Sequence, residues 1–334
     1  MNDRAIAVLE KYDIEVLRSW KGRSAILCET KTGIKILKEY KGSAERLVFL
    51  QQLLKEVKRN GFYGLEDIIS SKDGEVLVKD EEMNSYYLKE YADGKECNVR
   101  ESQETGYAAE QMALLHKAME LPEFVKEKNM TPYSLVNEFE KHNRELKKIK
   151  RYLKVKRQKS DFEYFLYQNC DGFLEKSEKI LEEVKLKSEL LGEEEILRKG
   201  CLCHGDLQHH NVLLRKDGIF FINFEKYMLD SPMRDLSLFF RKIMEKNNWS
   251  KELGLYVLDC YEKQRKISRE EKYQLYYRLS YPEKFWKIAN FYFNSSKVWI
   301  PPKNMEKLEK VLKQEEEKFL FLESNFKEGV LRKG

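Results

Sequence analysis

Two short segments in the second half of the chain constrain its fold more than any other feature. HGDLQHHNVLL occupies residues 204–214 and FFINFEKY occupies residues 220–227. HGDLQHHN is typical of a turn entered from a strand, and CLCHG, NVLLRKDG and IFFINF are typical of a strand, a turn and a strand around Asp217-Gly218. The flanking sequence instead has apolar residues three and four apart, which indicates helices. We therefore predict a hairpin within residues 201–227, isolated inside an otherwise helical region.

The side chains of these two segments suit phosphoryl transfer. Asp206 can orient an attacking hydroxyl group and accept its proton, and Asn211 can hold a Mg²⁺ ion that bridges nucleotide phosphates. Antiparallel pairing brings position 223 back beside position 211, so Asn223 and Glu225 are the further oxygen donors available there. The pattern predicts a catalytic role for Asp206 and a metal site at Asn211, Asn223 and Glu225.

Composition places the chain among globular proteins. Its 334 residues allow one large domain or two closely packed domains. Hydrophobic residues make up 42% and charged residues 36%, and no run approaches the roughly 18 apolar residues that span a bilayer, which excludes disordered and membrane-spanning chains. No apolar run precedes a cleavage site near the N-terminus, so we expect cytoplasmic synthesis without a signal peptide. The cysteines match neither a zinc spacing nor a disulfide framework.

The N-terminal part of the chain is typical of an antiparallel sheet with one helix. Strand-like segments at 25–30 and 33–40 flank a turn, and LEDIIS, EVLVKD and SYYLKEY follow as further strands. Between them, apolar residues recur at helical spacing after Ser43, a favourable N-cap. From about residue 100 onward the period is helical. We predict an α+β fold of two lobes, a small antiparallel-sheet lobe over residues 1–91 and a large, mainly helical lobe over residues 92–334.

A strongly basic stretch lies at residues 141–160, with ten lysines and arginines against one acid. Such a stretch suits nucleic acid, an acidic protein or a membrane surface. Leu146, Ile149 and Leu153 nevertheless keep a helical apolar stripe beneath the charges, which favours a solvated helix face. Only charge supports a nucleic-acid partner, so we do not expect one.

The motifs resemble those of a known superfamily. HGDLQHHN resembles the catalytic loop H-G-D-x-x-x-x-N of the aminoglycoside phosphotransferase and choline kinase superfamily, which shares the protein-kinase fold, and INFEK resembles its I-D-F-D/E strand end. More narrowly, three segments resemble the CotS family of bacterial spore coat proteins: LKEYADGKEC at 88–97, SPMRDLSLFFRKIMEKNNW at 231–249 and YPEKFWKIANFYFNSSKVW at 281–299. The resemblance implies a two-lobed protein-kinase-like fold, ATP and Mg²⁺ as cofactors, other spore coat proteins as partners, and a location in the spore coat.

The resemblance also assigns residues to a nucleotide site. Lys38, in the segment GIKILKEY, resembles the lysine that contacts nucleotide phosphates, although a register error of one residue would put Lys35 on that side of the strand. Glu45 is its candidate partner, because a strand lysine and a glutamate in the first turn of the following helix are placed to form a salt bridge. The expected hinge, whose backbone would meet an adenine ring, contains Glu90, Tyr91 and Asp93.

Two further residues are expected to support the loop. His204 is expected to hold it through hydrogen bonds, and Asp235, in MRDLSLFF, is either its partner or an acid near a helix N-terminus. The sequence has no glycine-rich phosphate loop, since SWKGRSAIL contains Gly22 alone. The aminoglycoside branch of the superfamily also lacks such a loop.

Asn223 stands where the resemblance implies an aspartate. An amide offers Mg²⁺ an oxygen but no negative charge, so metal affinity should fall. In one hypothesis the protein is a coat-associated pseudokinase, catalytically impaired, with weak or absent binding of ATP and Mg²⁺. In the other it is an active ATP- and Mg²⁺-dependent phosphotransferase acting on a hydroxyl of a small molecule, as aminoglycoside, choline and homoserine kinases do, with Glu225 as the acidic ligand. The resemblance favours a CotS-like spore coat protein and leaves catalysis open.

Overall fold

An antiparallel sheet forms the N-terminal part of the chain in the computed structural model, which describes residues 7–22, 25–294 and 302–331. The strands of this sheet are β1 (Val16–Gly22), β2 (Ala25–Thr30), β3 (Gly33–Glu39), β4 (Ile68–Ile69), β5 (Val78–Lys79) and β6 (Ser85–Glu90). They lie in the order β1-β2-β3-β6-β4, and β5 also pairs with β6. The predicted hairpin is confirmed as β2 and β3.

Helix α1 (Ala44–Arg59) joins the sheet to the rest of the molecule. As predicted, Ser43 caps it, because its hydroxyl oxygen accepts a hydrogen bond from the backbone N–H of Arg46. The predicted apolar stripe of α1 is buried in the same core as the C-terminal helices. The helix ends at Arg59 with Asn60 as its C-cap, and Gly61 follows with a φ of +88°, a conformation that glycine adopts without strain. This shared core holds the sheet over the helical lobe.

The rest of the chain is mainly helical, as predicted, so the α+β architecture is confirmed, while the division between residues 91 and 92 stays a prediction. Its helices are α2 (Ser102–Ala118), α3 (Pro122–Glu127), α4 (Leu135–Val155), α5 (Asp161–Leu186), α6 (Glu193–Lys199), α7 (Met233–Lys246), α8 (Lys251–Gln264), α9 (Arg269–Ser280), α10 (Glu283–Asn294), α11 (Pro302–Lys313) and α12 (Glu315–Leu331). Helix α2 packs along α8, and α4 packs along α5. Within the described ranges, no helix has the length and apolar character needed to cross a bilayer.

The hairpin predicted within residues 201–227 is present, but it is not isolated. The short strands of this region are β7 (Lys95–Glu96), β8 (Leu202–Cys203), β9 (Val212–Arg215), β10 (Gly218–Phe221) and β11 (Met228–Leu229). Strands β9 and β10 form the hairpin. Strand β7 pairs with the other edge of β9, because the chain passes along that edge after leaving the N-terminal sheet. Strand β8 pairs with β11, so a second antiparallel strand pair joins the chain before the hairpin to the chain after it.

The basic stretch lies mostly on α4. Its predicted apolar stripe is buried, which fits a helix with one solvated face. Lys147 pairs with Glu178 and Lys150 pairs with Asp171, both acids belonging to α5. The neighbouring helix therefore neutralises part of the basic charge.

Two segments quoted from the sequence extend outside the described residues. The segment SWKGRSAIL includes residues 23–24, and the segment 281–299 ends with residues 295–299; these residues lie outside the described ranges. The described part of the second segment contains α10.

Candidate functional site

A cleft of about 780 Å³ lies between the N-terminal sheet and the hairpin. Side chains of β3 and β6 form one wall, and the loop before β9 and the segment after β10 form the other. The predicted site residues that line the cleft are Lys38, Glu90, Tyr91, Asp206, Asn211, Asn223 and Glu225. Those that lie outside its lining are Glu45, Asp93, His204 and Asp235.

The hairpin brings Asn211 and Asn223 together, as the sequence predicted. The Asn223 Nδ2 donates a hydrogen bond to the Asn211 Oδ1 across 2.8 Å. Asn223 lies two residues after the end of β10 and has φ +68° and ψ +54°. This left-handed conformation is tolerated by asparagine better than by most residues. The backbone thus turns sharply here and directs the amide of Asn223 toward Asn211.

Asp206 is ionised, and each oxygen of its carboxylate accepts a hydrogen bond from a neighbouring side chain. The Gln208 Nε2 donates to Oδ1 across 2.7 Å, and the Lys226 Nζ donates to Oδ2 across 2.8 Å. Burial alone would raise the pKa of Asp206, but the hydrogen bonds from Lys226 and Gln208 outweigh it and lower the pKa. The Asp206 backbone carbonyl accepts from the Asn211 Nδ2 across 2.8 Å, which fixes the spacing of the loop.

Asp235 and His204 support the loop by different contacts. The Asp235 carboxylate accepts from the backbone N–H groups of His204 and Gly205, at 2.6 and 2.9 Å. The His204 ring instead contacts the Ile222 carbonyl oxygen through Nε2, at 2.9 Å. The sequence did not identify His116, whose Nε2 lies 3.5 Å from the Asp235 Oδ2. Burial would raise the pKa of Asp235, but His116 and the backbone donor of His204 lower it.

Lys38 forms its ion pair with Glu225, and the expected pairing with Glu45 is wrong. Glu45 is exposed on the first turn of α1, where hydrogen bonds to its own backbone N–H and to the Ser43 side chain lower its pKa. Glu225 lies in a short 3-10 helix, Phe224–Lys226, and its carboxylate accepts a hydrogen bond from Lys38 of β3. It also accepts a hydrogen bond from the Tyr87 hydroxyl. Lys38 is therefore tied to the other lobe.

Burial alone would raise the pKa of Glu225. The positive charges of Lys89 and Lys38 more than compensate, and with the hydrogen bonds from Lys38 and Tyr87 they hold the pKa at about 2. The Glu225 carboxylate is therefore anionic across the ordinary pH range.

Sequence analysis missed Lys89 and Glu66. The Lys89 Nζ donates to the Glu66 Oε2 at 2.6 Å and to the Asn223 Oδ1 at 2.9 Å. The pairing of β3 with β6 could have predicted the position of Lys89. Lys89 lies opposite Ile36, two residues from Lys38 on β3, so both lysines face the cleft. The partner Glu66 comes from a loop, and no local pattern marks it.

The expected hinge region only partly lines the cleft. Glu90 is held by the buried Lys35 Nζ at 2.6 Å, and the Tyr91 backbone N–H donates to the Ile34 carbonyl. Ala92, which lies within the expected hinge from Glu90 to Asp93, is buried and lines the cleft. Asp93 is exposed to solvent outside the lining. Ala92 is thus the better placed of the two residues to meet a ligand.

The oxygens around Asn223 do not fit a Mg²⁺ ion in this arrangement. The Asn211 Oδ1 accepts from Asn223, and the Asn223 Oδ1 accepts from Lys89 and, at 3.4 Å, from Lys38. Mg²⁺ needs a near-octahedral set of oxygen ligands, usually with one or two carboxylates, and two ammonium groups would repel it. In residues 7–22, 25–294 and 302–331, no three His, Cys, Asp or Glu side chains are grouped so as to hold a metal.

The sequence of residues 6–325 matches a protein family described as "Spore coat putative kinase YutH". The chain belongs to the YutH family. Among curated proteins, this YutH-family chain is 22% identical to Spore coat protein S of Bacillus subtilis over 307 residues, which cover 90% of this chain and 86% of that protein. It is also 31% identical to Protein LicA of Haemophilus influenzae over 116 residues, which cover 34% of this chain and only 41% of LicA.

Solved structures show that the YutH-family chain has a kinase-like fold. An aminoglycoside phosphotransferase from Alicyclobacillus acidocaldarius superimposes with a TM-score of 0.83 at 19% identity, covering 97% of this chain and 96% of that one. A spectinomycin phosphotransferase in complex with ADP and spectinomycin superimposes with a TM-score of 0.65 at 13% identity, covering 95% and 97% of the two chains. The resemblance to the CotS family, within the aminoglycoside phosphotransferase and choline kinase superfamily, is confirmed.

Proposed function

We propose that this YutH-family protein is a spore coat component whose kinase-like cleft binds ATP and is catalytically impaired, so that it is a pseudokinase. The observation that carries the proposal is Asn223, a neutral amide whose oxygen already accepts a hydrogen bond from Lys89. Losing one preorganised charge of this kind removes on the order of 3 kcal/mol of transition-state stabilisation, which slows a reaction roughly 10²-fold or more.

Several features support ATP as the ligand. Apolar side chains, among them Ile36 and Ile222, line the cleft together with Lys38. A base could lie against the apolar part while its phosphates meet the lysine. The spectinomycin phosphotransferase with ADP shares the fold.

The residues of the loop support an impaired reaction. In phosphoryl transfer, Asp206 would accept the proton of an attacking hydroxyl. Here Lys226 and Gln208 each donate to one oxygen of that carboxylate and lower its pKa, which makes it a weaker base. Since Mg²⁺ does not fit the site as arranged, we assign no step of a reaction to it.

The relatives support a place in the spore coat. The family description names a spore coat, as does Spore coat protein S of Bacillus subtilis. In this proposal the chain is made in the cytoplasm and joins other coat proteins, which are its partners.

A second candidate function is an active phosphotransferase that uses ATP on a hydroxyl of a small molecule. The observation that favours it is the joint presence of Asp206, Asn211 and Lys38 in one cleft, with Glu225 as an acid beside them. This candidate requires Glu225 to leave Lys38 and serve as a metal ligand.

The decisive experiment measures ATP binding and ATP turnover by the purified protein. We expect calorimetry to show binding, and phosphate release to be at least about 100-fold slower than the roughly 1–100 s⁻¹ typical of kinases. Mg²⁺-dependent turnover in the kinase range that disappears in Glu225→Ala, and not in Glu127→Ala on the exposed face of α3, would favour the phosphotransferase. If ATP does not bind at all, the nucleotide part of the proposal is wrong.

A further inference from the structure

The cleft contains a buried ion pair that the proposed function does not use. Lys89 and Glu66 are only 3% and 1% exposed, and the Lys89 Nζ lies 2.6 Å from the Glu66 Oε2. Two charges withdrawn from water are costly to keep, even when they are paired. Both residues line the cleft. A buried pair at the wall of a binding cleft therefore calls for a role beyond stability.

The position of Lys89 is fixed from two sides. On β6 it lies on the same face as Tyr87, two residues earlier, and Tyr87 lies opposite Lys38 of β3, so the two lysines share one face of the sheet. The Glu66 carboxylate also holds the Lys89 ammonium, which donates a hydrogen bond to Glu66 Oε2. Both ammonium groups converge on the Asn223 Oδ1, at 2.9 Å for Lys89 and 3.4 Å for Lys38. Two positive charges are thus concentrated where the related enzymes were expected to hold a metal.

Charges at this end of the cleft balance without a metal ion. Each ammonium group has one carboxylate partner, in the pairs Lys38 with Glu225, Lys89 with Glu66, and Lys226 with Asp206. A neutral amide at position 223 fits this balance, because it adds no negative charge at the point where both ammonium groups converge. The neutral side chain of Asn223 and the buried charge of Lys89 are therefore parts of the same balance of charges.

We propose that the Lys89 ammonium takes the place of a divalent cation, so that the cleft binds the polyphosphate of a nucleotide without metal. The inference rests on the proposed binding of ATP. An ammonium has three N–H donors, and Lys89 uses two of them, for Glu66 and Asn223. Because Lys89 lines the cleft, the third donor is left for an anion that enters it. Lys38 acts beside it as a second cation for the same phosphates.

The same geometry disfavours a metal–nucleotide complex. A dication beside the Asn223 Oδ1 would lie within a few ångströms of both ammonium groups, and like charges at that distance repel strongly in a desolvated site. The site therefore selects metal-free polyphosphate over its Mg²⁺ complex.

The test compares ligand binding in EDTA and in Mg²⁺ by calorimetry, with ATP and inorganic tripolyphosphate as probes. Lys89→Met removes the cation. Because it also leaves the Glu66 carboxylate buried and unpaired, the double variant Lys89→Met with Glu66→Gln removes both charges. The matched control is Lys58→Met, which removes the ion pair to Asp67, the residue next to Glu66, outside the cleft lining. Circular dichroism confirms that each variant is folded.

We expect the wild-type protein to bind ATP in EDTA at least as tightly as in Mg²⁺. Both Lys89 variants should weaken binding in EDTA by at least about tenfold, the factor that accompanies loss of one charge-assisted hydrogen bond, and the Lys58 control should not. Binding of ATP only in Mg²⁺ overturns the inference and leaves the proposed nucleotide function intact. Unchanged binding in the folded double variant also overturns it.

The second probe separates the two proposals. If tripolyphosphate binds in EDTA and depends on Lys89 while ATP does not bind, the cation assignment stands and the nucleotide function fails. If neither probe binds under any condition, both fail.

Discussion

The side-chain amide of Asn223 donates a hydrogen bond to the side-chain oxygen of Asn211 across 2.8 Å. The two positions that the sequence assigned to a metal thus bind each other. The remaining oxygen of this pair, Asn223 Oδ1, accepts from a lysine. The side-chain oxygens of the two predicted metal ligands are therefore satisfied by hydrogen bonds within the protein.

Replacing Asn223 with aspartate should create a requirement for metal. A carboxylate would repel the Asn211 Oδ1 that now faces the amide, and a Mg²⁺ ion between the two oxygens would relieve that repulsion. We expect Mg²⁺ with ATP to raise the Tm of Asn223→Asp by roughly 2–4 °C more than that of the wild type, as measured by thermal shift. Asn129→Asp is the matched control, because Asn129 is also an asparagine with positive φ, exposed and outside the cleft. Equal shifts in the two variants would contradict the assignment.

Glu225→Gln should change the pH dependence of unfolding. The Glu225 pKa is about 2 in the folded protein against an ordinary value of 4.5, so its contribution to stability is complete above pH 4.5 and is lost as pH falls toward 2. At neutral pH the variant should lose on the order of 3 kcal/mol of unfolding free energy. Denaturant titrations at several pH values should show the two curves converging near pH 2. Parallel curves, or the same effect in Glu127→Gln, would refute the explanation.

Asp235→Asn should loosen the loop that carries Asp206. An amide can accept from only one of the two backbone N–H groups that the wholly buried carboxylate now holds, those of His204 and Gly205. A buried donor left unsatisfied costs about 1–3 kcal/mol, and we expect a loss of that size in chemical denaturation. Asp259→Asn, on the exposed face of α8, should change stability by less than about 0.5 kcal/mol. An equal loss in both variants would argue against a specific role for Asp235.

Two glycine substitutions should have opposite effects. Gly205 has a φ of +80°, and a Cβ there would overlap the Lys226 carbonyl oxygen, so Gly205→Ala should cost about 3 kcal/mol or more. Gly172 lies in α5, and a Cβ there would meet no atom within 4 Å. Gly172→Ala should therefore stabilise the helix by about 0.5–1 kcal/mol. Thermal unfolding of the two variants checks the sign, and destabilisation by both would count against this account of the loop.

Local patterns in the sequence predicted the elements of the fold well. Alternation and turn residues located the β2–β3 hairpin and the hairpin of β9 and β10, and the capping serine with its helical stripe located α1. These signals lie within a few residues of one another, and the chain records them directly. The nearness of Asn211 and Asn223 followed from the same local geometry.

The ion pairs of the site could not be predicted in the same way. Lys38 and Glu225 are 187 residues apart, and their contact depends on how the two lobes pack. Glu45 was the expected partner because it is close in sequence, yet its side chain stays at the exposed end of α1. Lys89 was missed because a lysine on a strand ordinarily faces solvent, and its burial depends on Glu66 arriving from a loop. An ion pair between residues that are far apart in the sequence leaves no pattern in the local sequence around either residue.

The Glu66 carboxylate also has a mechanical consequence. It receives Lys89 from the sheet and the backbone N–H groups of Asn223 and Phe224 from the opposite lobe, at 2.6, 2.9 and 3.1 Å. Parting the lobes here would break both backbone hydrogen bonds to this buried carboxylate, although its pair with Lys89 would remain. Many transfer enzymes depend on such opening to discharge product. The hydrogen bonds at Glu66 oppose opening of the cleft. They therefore favour retention of a bound ligand over its repeated exchange.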